Sequence, residues 1–574
     1  MKNIYKLLIL SAIFSLTSCE DYLDKPPLDE ISEVTFYQNS NDLRTAVNGF
    51  YNDLPGWQAL GVGFNTLPDS NTDMGLTENP SDRLSGLAYD LPTSGSGFGA
   101  GSAWSWVEVR EANFLIDRLD EATATDEADQ NLIDQYSGEA YFFRAYYYFD
   151  LLVRYGDVPI FPNSFTADDE EFVFAARDPR DEVADFIISD LDRAIGLLLS
   201  FPEIPDNPRI SKEAAQLFKA SVALYEGTWE KYHNNTPLGV EGSEGTRFLE
   251  IAAGAALDVM NSGVFSLHND YESLFNQVGL ANNNEVMLWR DYDAVSLGVA
   301  NVLQKSWPNR SGYTKFAVDS YLAADGLPTA LSDVDGSNLD LNTIEIGRDP
   351  RLAALIMVPG DVVEIRDGET LLWEFPDFSD ADTGNTGYES QKYRNVFYDE
   401  AVDDFSQNTS RIIMRYAEAL LIYAEAKAEL GTITQSDLDI SINLLRNRVS
   451  MPGITLNNIA IDPNWPDYGY NLTPIQYEVR RERSVELMAE GFRTNDLLRW
   501  RAHALFNNDQ PRGAFYNDGV VNTVAIETPL DSDGFILPFS NFGNYNFDPI
   551  KGYLNPIPTD ELILNPNLVQ TPGW

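Results

Sequence analysis

GEAYFFRAYYYFDLLVRYGDVP, residues 138–159, is the stretch whose reading decides the fold. Ala140, Phe143, Tyr147 and Leu151 recur at three- and four-residue steps, which lays an apolar stripe along one helix face. Gly156 supplies a stop and Pro159 cannot continue the turn. The periodicity predicts a helix over 131–155. Working outward, similar patterns predict helices over 41–53, 104–121, 180–199, 212–232 and 246–262. Between 263 and 410 the pattern fades into Asn, Asp, Gly and aromatics, where short strands and long loops fit best.

Helical pattern returns at 411–430, with Ala417, Leu420, Leu421, Ala424 and Ala428 on one face and Gly431 closing it. The segment 435–448 follows as its antiparallel partner. Small residues such as Ala424, Ala426 and Ala428 let helices approach closely, and such pairs resemble tetratricopeptide-type hairpins. Thr473-Pro474-Ile475-Gln476 opens a helix predicted to reach 490: Thr473 caps, Pro474 suits the first turn and Gln476 completes a capping box. It carries Glu482, Glu486 and Glu490 among Arg480, Arg481 and Arg483. These could be catalytic carboxylates with substrate-binding arginines, or paired charges that lock the helix in place; the helical spacing favours the second. From 507 onward, recurring prolines predict an irregular tail.

The 574 residues carry 39 Lys and Arg against 89 Asp and Glu, a net charge of −50. Binding to nucleic acid, which rests on neutralising phosphates, is disfavoured on such a surface. Polyanions in general are repelled, less so in salt, so a saline habitat is expected. The three histidines, His233, His268 and His503, fall in no metal-ligand spacing, and no Gly-rich phosphate loop or G-x-S-x-G occurs. Cys19 is the only cysteine, which excludes an internal disulfide. It follows Lys2, Lys6, the apolar run 7–16, Thr17 and Ser18. That is a secretory signal too short to span a bilayer, ending in the Leu-Thr-Ser-Cys pattern of lipoprotein processing. The expected organisation is a signal peptide over 1–18, an acidic lipid-anchored tether over 19–34, and one domain over 35–574. Within that domain, 35–262 is helical, 263–410 loop-rich, 411–506 helical again and 507–574 the tail.

Taken in order, the motifs resemble the SusD/RagB family. The opening stretch resembles its signature helix. Asp325-Gly326 after Tyr321, Arg348-Asp349-Pro350-Arg351-Leu352, and Gly387-Tyr388 with Lys392 resemble its middle motifs. Arg415-Tyr416-Ala417-Glu418 through Tyr423-Ala424-Glu425-Ala426, then Asn443 through Arg448, resemble its repeat helices. Glu482-Arg483, Glu486-Leu487, Glu490-Gly491-Phe492-Arg493, Asp496-Leu497 and Arg499-Trp500 match its C-terminal motif, and Tyr553 through Trp574 its end. The resemblance implies a mainly α SusD-like fold: a tetratricopeptide-like helical-hairpin scaffold with an irregular, loop-rich ligand-binding face and a few short strands. It implies a non-catalytic, surface-exposed outer-membrane lipoprotein, held by acylated Cys19. The protein would capture an oligosaccharide for a SusC-like TonB-dependent transporter, over which it sits as a lid. A peptide-capturing RagB-like protein or a glycoside hydrolase are the alternatives. No cofactor is expected.

Sugar binding needs flat apolar faces and fixed polar groups. Two stretches offer both, and the resemblance favours the same two. The first, 57–106, holds Trp57, Phe64, Asp69, Asn71, Asp73, Arg83, Tyr89, Phe98 and Trp104. The second, 289–313, holds Trp289, Tyr292, Trp307, Asn309, Arg310 and Tyr313. The ligand-binding set expected from these is Asp69, Asn71, Asp73, Arg83, Tyr89, Trp104, Trp289, Trp307 and Tyr313. The commoner role of any single aromatic among them is core packing. Asp69-Ser-Asn71-Thr-Asp73 also has spacing that suits Ca2+, but lacks the Gly and late Glu of an EF-hand loop, so ligand contact or a turn is the better reading. The acidic surface points to a neutral glycan, a β-glucan such as laminarin or a fructan.

Overall fold

A computed structural model describes residues 36–57, 68–94, 104–299, 301, 311–333, 339–374, 376, 385–397, 407–516 and 529–574. Cys19, the whole signal and tether, and Phe64, Phe98, Trp307, Asn309 and Arg310 lie outside the described residues.

The helices expected from periodicity form the frame. They are α1 Ser40–Asn48, α2 Val107–Ile116, α3 Glu127–Tyr155, α4 Arg180–Leu197, α5 Lys212–His233 and α6 Thr246–Ser262. Helix α3 starts four residues before expectation, because the Asp126 carboxylate accepts from the Asp129 N–H and sets the N-cap there. Helices α3 to α6 pack each on the next. Helix α6 then meets α8 Tyr416–Glu429, which packs against α11 Pro474–Glu486; α7 is the short Lys315–Asp319. Alanine at the crossings makes this possible: Ala140, Ala184, Ala214, Ala220, Ala252, Ala256, Ala417 and Ala426 are all fully buried in one apolar core. The tightest approach is at Gly245, φ +65°, where a Cβ would stand 1.8 Å from the Gly227 carbonyl oxygen.

Three expectations need correction. Residues 411–415 are a strand rather than the first turn of α8. Strand β6, Arg411–Arg415, pairs antiparallel with β2, Val286–Arg290, and the Tyr416 N–H donates to the Glu285 carbonyl as the helix begins. The β-branched Ile412-Ile413 pair suits that pleat. The helix expected over 435–448 is two pieces, α9 Gln435–Asp439 and α10 Ile442–Arg448. The Ser441 hydroxyl between them donates to the Asp437 carbonyl at 2.6 Å and takes it from the helical ladder. Helix α11 stops at Glu486, and Glu490 is reached through a turn with Ala489 at φ +61° and Gly491 at φ +97°. Helix α12, Arg493–Arg499, follows.

Strands among the described residues form three two-stranded sheets. These are β2 with β6, β1 Gly75–Leu76 with β3 Gly312–Tyr313, and β4 Val362–Arg366 with β5 Glu369–Leu372. The tail is irregular apart from a short helix over Thr559–Leu564.

Buried ion pairs join the pieces. Arg144 on α3 holds Asp190 on α4 at 2.7 Å, and Arg180 on α4 holds Glu226 on α5 at 2.7 Å. Glu429 on α8 takes Lys231 of α5 and Arg480 of α11. Burial alone would raise the Glu429 pKa, but Arg480 and Lys231 outweigh it and hold the group down to about 2. Glu486 and Glu490 are lowered for the same reason by their own arginines and lysine. A carboxylate depressed in the folded state contributes stability above its ordinary value and loses it as pH falls through the folded one. The urea midpoint is therefore expected to drop steeply between pH 5 and pH 2. Glu429 alone accounts for on the order of 3 kcal/mol of that loss. Groups with the opposite shift, Glu230 and Glu418, both raised by burial to about 7, act in the separate window between 4.5 and 7. A midpoint unchanged between pH 5 and pH 2.5 would contradict the assignment.

Candidate functional site

The residues expected to bind a ligand divide among four places. Asp69 and Asp73 serve the turn after α11. The Asp69 carboxylate accepts from the backbone N–H groups of Glu490, Gly491 and Arg493, and Asp73 forms a two-pronged pair with Arg493 at 2.6 and 2.8 Å. Asn71 accepts from the Thr77 hydroxyl. Asp69 and Asp73 thus both engage Arg493 while Asn71 faces Thr77, and with φ of 64° and 61° at Asp69 and Asn71 the segment forms a turn whose side chains are held by protein groups. Among the described residues, no group of three or more His, Cys, Asp or Glu could hold a metal ion.

Arg83 and Tyr89 clamp the tail. Arg83 donates to the carbonyls of Gly552 and Tyr553, and the Tyr89 hydroxyl accepts from the Asp548 N–H while its ring meets Trp574 edge-on at 6.1 Å. Trp104 lies in the helical core against Tyr155, ring centroids 4.8 Å apart. Trp289 and Tyr313 are 3% and 1% exposed in a second apolar core, the Tyr313 hydroxyl bonded to that of Ser390. Trp104, Trp289 and Tyr313 are thus packing residues, and Asp69, Asp73, Arg83 and Tyr89 are fasteners between segments. A chain with this much irregular structure must satisfy its buried backbone groups with side chains, and the polar and aromatic residues of loops do that work.

What the structure brings together is a set of described residues that flank 58–67, 302–310 and 398–406. Trp57 is held by Tyr292, whose hydroxyl accepts from the Trp57 N–H at 2.5 Å and donates to its carbonyl at 3.2 Å. The Arg411 guanidinium lies 4.7 Å over the Trp57 ring and donates to the Gly56 carbonyl, and Tyr393 meets the ring edge-on at 4.9 Å. Beside this, the backbones of Asn301 and Gln407 exchange hydrogen bonds at 2.9 and 3.0 Å. The stretches 58–67, 302–310 and 398–406 are therefore all flanked by one corner of the β2–β6 pair.

The first two are flanked on their other side by a second common point. There Gly75 pairs with Tyr313 and Leu76 with Gly312. Tyr313 N–H also donates to the Tyr388 carbonyl, and Asn385, which ends the stretch 377–384, donates to the Thr77 carbonyl at 2.7 Å. The described residues on either side of 58–67 and of 302–310 thus meet at the same two points. A Cβ at Gly312 would stand 2.2 Å from the Thr386 hydroxyl and 3.0 Å from the Tyr388 carbonyl oxygen, so any larger residue at this junction would have to displace the Thr386 side chain. The stretch 95–103 leaves elsewhere, between Ser94 and core-bound Trp104.

One concave site is absent from the sequence reading altogether. A cleft of about 510 Å3 lies between α7, the segment 462–468 and α11. The Trp465 and Tyr477 rings stack in parallel at 4.5 Å and 5°, and Phe316, Asp319, Asp462 and Asn464 also line the cleft. The signal was present: DPNWPDYGY, 462–470, mixes aromatics with Asp and Asn as the two chosen stretches do. It was obscured because it sits between two helices that read as scaffold.

The comparisons with known proteins agree with this architecture. The model of the SusD family matches residues 271–574, and a model described as starch-binding associating with outer membrane matches 103–224. SusD-like protein P25 of Formosa agariphila is 24% identical over 523 residues, covering 85% of this chain and 88% of that protein. Among solved structures, a SusD-like carbohydrate binding protein from Bacteroides fragilis superposes with a TM-score of 0.72 at 22% identity, covering 93% of this chain and all of that one. A structure determined with xylogluco-oligosaccharide gives a TM-score of 0.56 at 18% identity, covering 92% of this chain and 96% of that one.

Proposed function

The chain belongs to the SusD family, and from that premise we propose that it is a cell-surface, lipid-anchored glycan-binding protein of the outer membrane. It captures oligosaccharides and passes them to a SusC-like TonB-dependent transporter without cleaving them. The observation that carries this reading is that the described residues flanking 58–67 and 302–310 meet at shared points, Trp57 with Arg411 and Tyr292 beside Asn301 with Gln407, and Gly75-Leu76 with Gly312-Tyr313. Sugar capture needs aromatic faces and polar groups from separate loops within reach of one ligand, and two common anchors supply that. The names of the relatives that bind carbohydrate or hold a xylogluco-oligosaccharide support the ligand class.

The absence of catalysis is supported by the state of the C-terminal glutamates. Glu482 and Glu486 are each bridged by two or more arginines, and Glu490 by Arg415 and Lys392, all of them buried. None is placed as an open acid–base pair. The net charge of −50 favours a neutral glycan over a uronate-rich or sulfated one, with laminarin or a fructan as first candidates. The reading invokes no cofactor.

Affinity gels across neutral and anionic polysaccharides, followed by calorimetry on the best ligand, test it. Trp307→Ala is expected to weaken binding about tenfold or more, which is about 1.4 kcal/mol. Unchanged affinity would remove Trp307 from the site. Release of reducing ends would identify a hydrolase, and binding of peptides with no glycan retained would favour the RagB-like alternative.

A further inference from the structure

We propose that the cleft between α7 and α11 is a second saccharide-binding site, separate from the loop-borne one and suited to a neutral sugar. The inference rests on the glycan-capture reading above. Three observations support it.

The first is shape and surface. The cleft's volume of about 510 Å3 falls within the range of small-molecule sites, about 300–1,000 Å3. The parallel Trp465–Tyr477 stack gives it a flat apolar wall, with Phe316 as a further apolar surface. The second is polarity. Asn464 lines the same space and offers an amide that pairs with hydroxyls, and the carboxylates of Asp319 and Asp462, held by Lys315 and Arg481, keep further lone pairs for hydroxyl donors.

The third is charge, and it selects among sugars. Of the four cations that line the cleft, Lys315, Arg481 and Arg493 are paired with Asp319, Asp462 and Asp73, and Arg348 donates to the carbonyls of Val318 and Tyr321. A sulfate or uronate would have to displace one of these partners inside a strongly acidic protein, whereas a neutral sugar leaves them all in place. The base of the cleft is also held before any ligand arrives: Arg493 donates to the Ser484 hydroxyl as well as to Asp73, and Arg348 donates to the carbonyls of Val318 and Tyr321. Little ordering remains to be paid on binding. Two sites on one molecule would hold a long chain more tightly than either holds a short one, through effective concentration.

The test uses the mature protein with laminarihexaose, maltohexaose and an inulin-type fructo-oligosaccharide as probes. For a probe that binds in calorimetry, the expected result is two equivalents per chain, falling to one in Trp465→Ala. Hydrogen exchange of the unaltered protein should slow over 314–321 and 462–481 when the same probe is added, a readout that needs no variant to fold. Asn464→Ala is the milder second variant, expected to weaken only the second equivalent. One equivalent, with no slowing over 462–481 and the same isotherm in Trp465→Ala, overturns the cleft while leaving glycan capture standing. Failure of all three neutral probes alongside binding of sulfated or uronate oligosaccharides overturns the cleft and the neutral-glycan choice together. Binding of no glycan at all overturns the proposed function with it.

Discussion

Glu486→Ala is expected to lower the unfolding free energy by about 3–5 kcal/mol, the range for breaking a buried ion pair from one side. Glu486 is fully buried. Its Oε1 accepts from Arg415 at 2.7 Å and Arg448 at 2.6 Å, and its Oε2 from Arg448 at 2.7 Å and Arg351 at 3.0 Å. Those arginines come from β6, α10 and the turn at 350–352, so one carboxylate fastens three separate segments to α11. Removing it leaves three guanidinium groups buried. Part of the loss is absorbed, because Glu285 also holds Arg415 and Arg448, and Asp349 and Glu482 also hold Arg351. The measurement is a urea midpoint for Glu486→Ala beside Glu486→Gln, which keeps an acceptor and should fall between. Glycan affinity of the folded fraction should be unchanged. A variant with normal stability but no glycan binding would contradict the purely structural role and favour a substrate-facing one for Glu486.

Cys19→Ala is expected to abolish glycan uptake in cells while the released protein still binds glycan in solution. The physical ground is the anchor: two or three acyl chains bury enough methylenes for stable membrane attachment, where a single chain is marginal. Without them a protein secreted through its signal would leave the surface, and capture would no longer be coupled to a transporter. If the protein acts as a lid, the fifteen residues 20–34 would limit its swing to about 50 Å, their reach when extended. Cell fractionation and growth on the cognate glycan provide the readouts. Growth equal to that of the unaltered strain would refute both the anchor and the lid.

The scaffold was largely legible because its helices are long and carry their own signals. Helix α6 spans the residues its periodicity marks, and Gly263 ends it at φ +66°. The capping box at Thr473 and Gln476 forms as spaced. The boundaries that moved did so for reasons outside the local pattern. Residues 411–415 carry apolar residues compatible with either state, and the pairing partner that makes them a strand lies more than a hundred residues earlier, at 286–290. The glutamates of the C-terminal motif read correctly as paired, but their partners Arg351, Lys392 and Arg415 come from segments no helical spacing connects.

The ligand site was the least legible part. An aromatic or carboxylate on a loop has the same local signature whether it waits for a sugar or fastens the loop. Arg83 and Tyr89 look available in sequence, yet they hold the tail more than four hundred residues away. Trp465 lies between two segments with helical pattern, and only the cleft that the 462–468 segment shares with α7 gives it a concave surface.

The sequence by itself determined the family, the helical scaffold and the acidic surface, because each is written in residues adjacent along the chain or in a total over it. Which polar and aromatic residues hold the fold and which are left for a ligand was decided by tertiary structure alone. That division depends on where distant segments meet, and a side chain's local neighbours do not record whether its hydrogen bonds have already been taken.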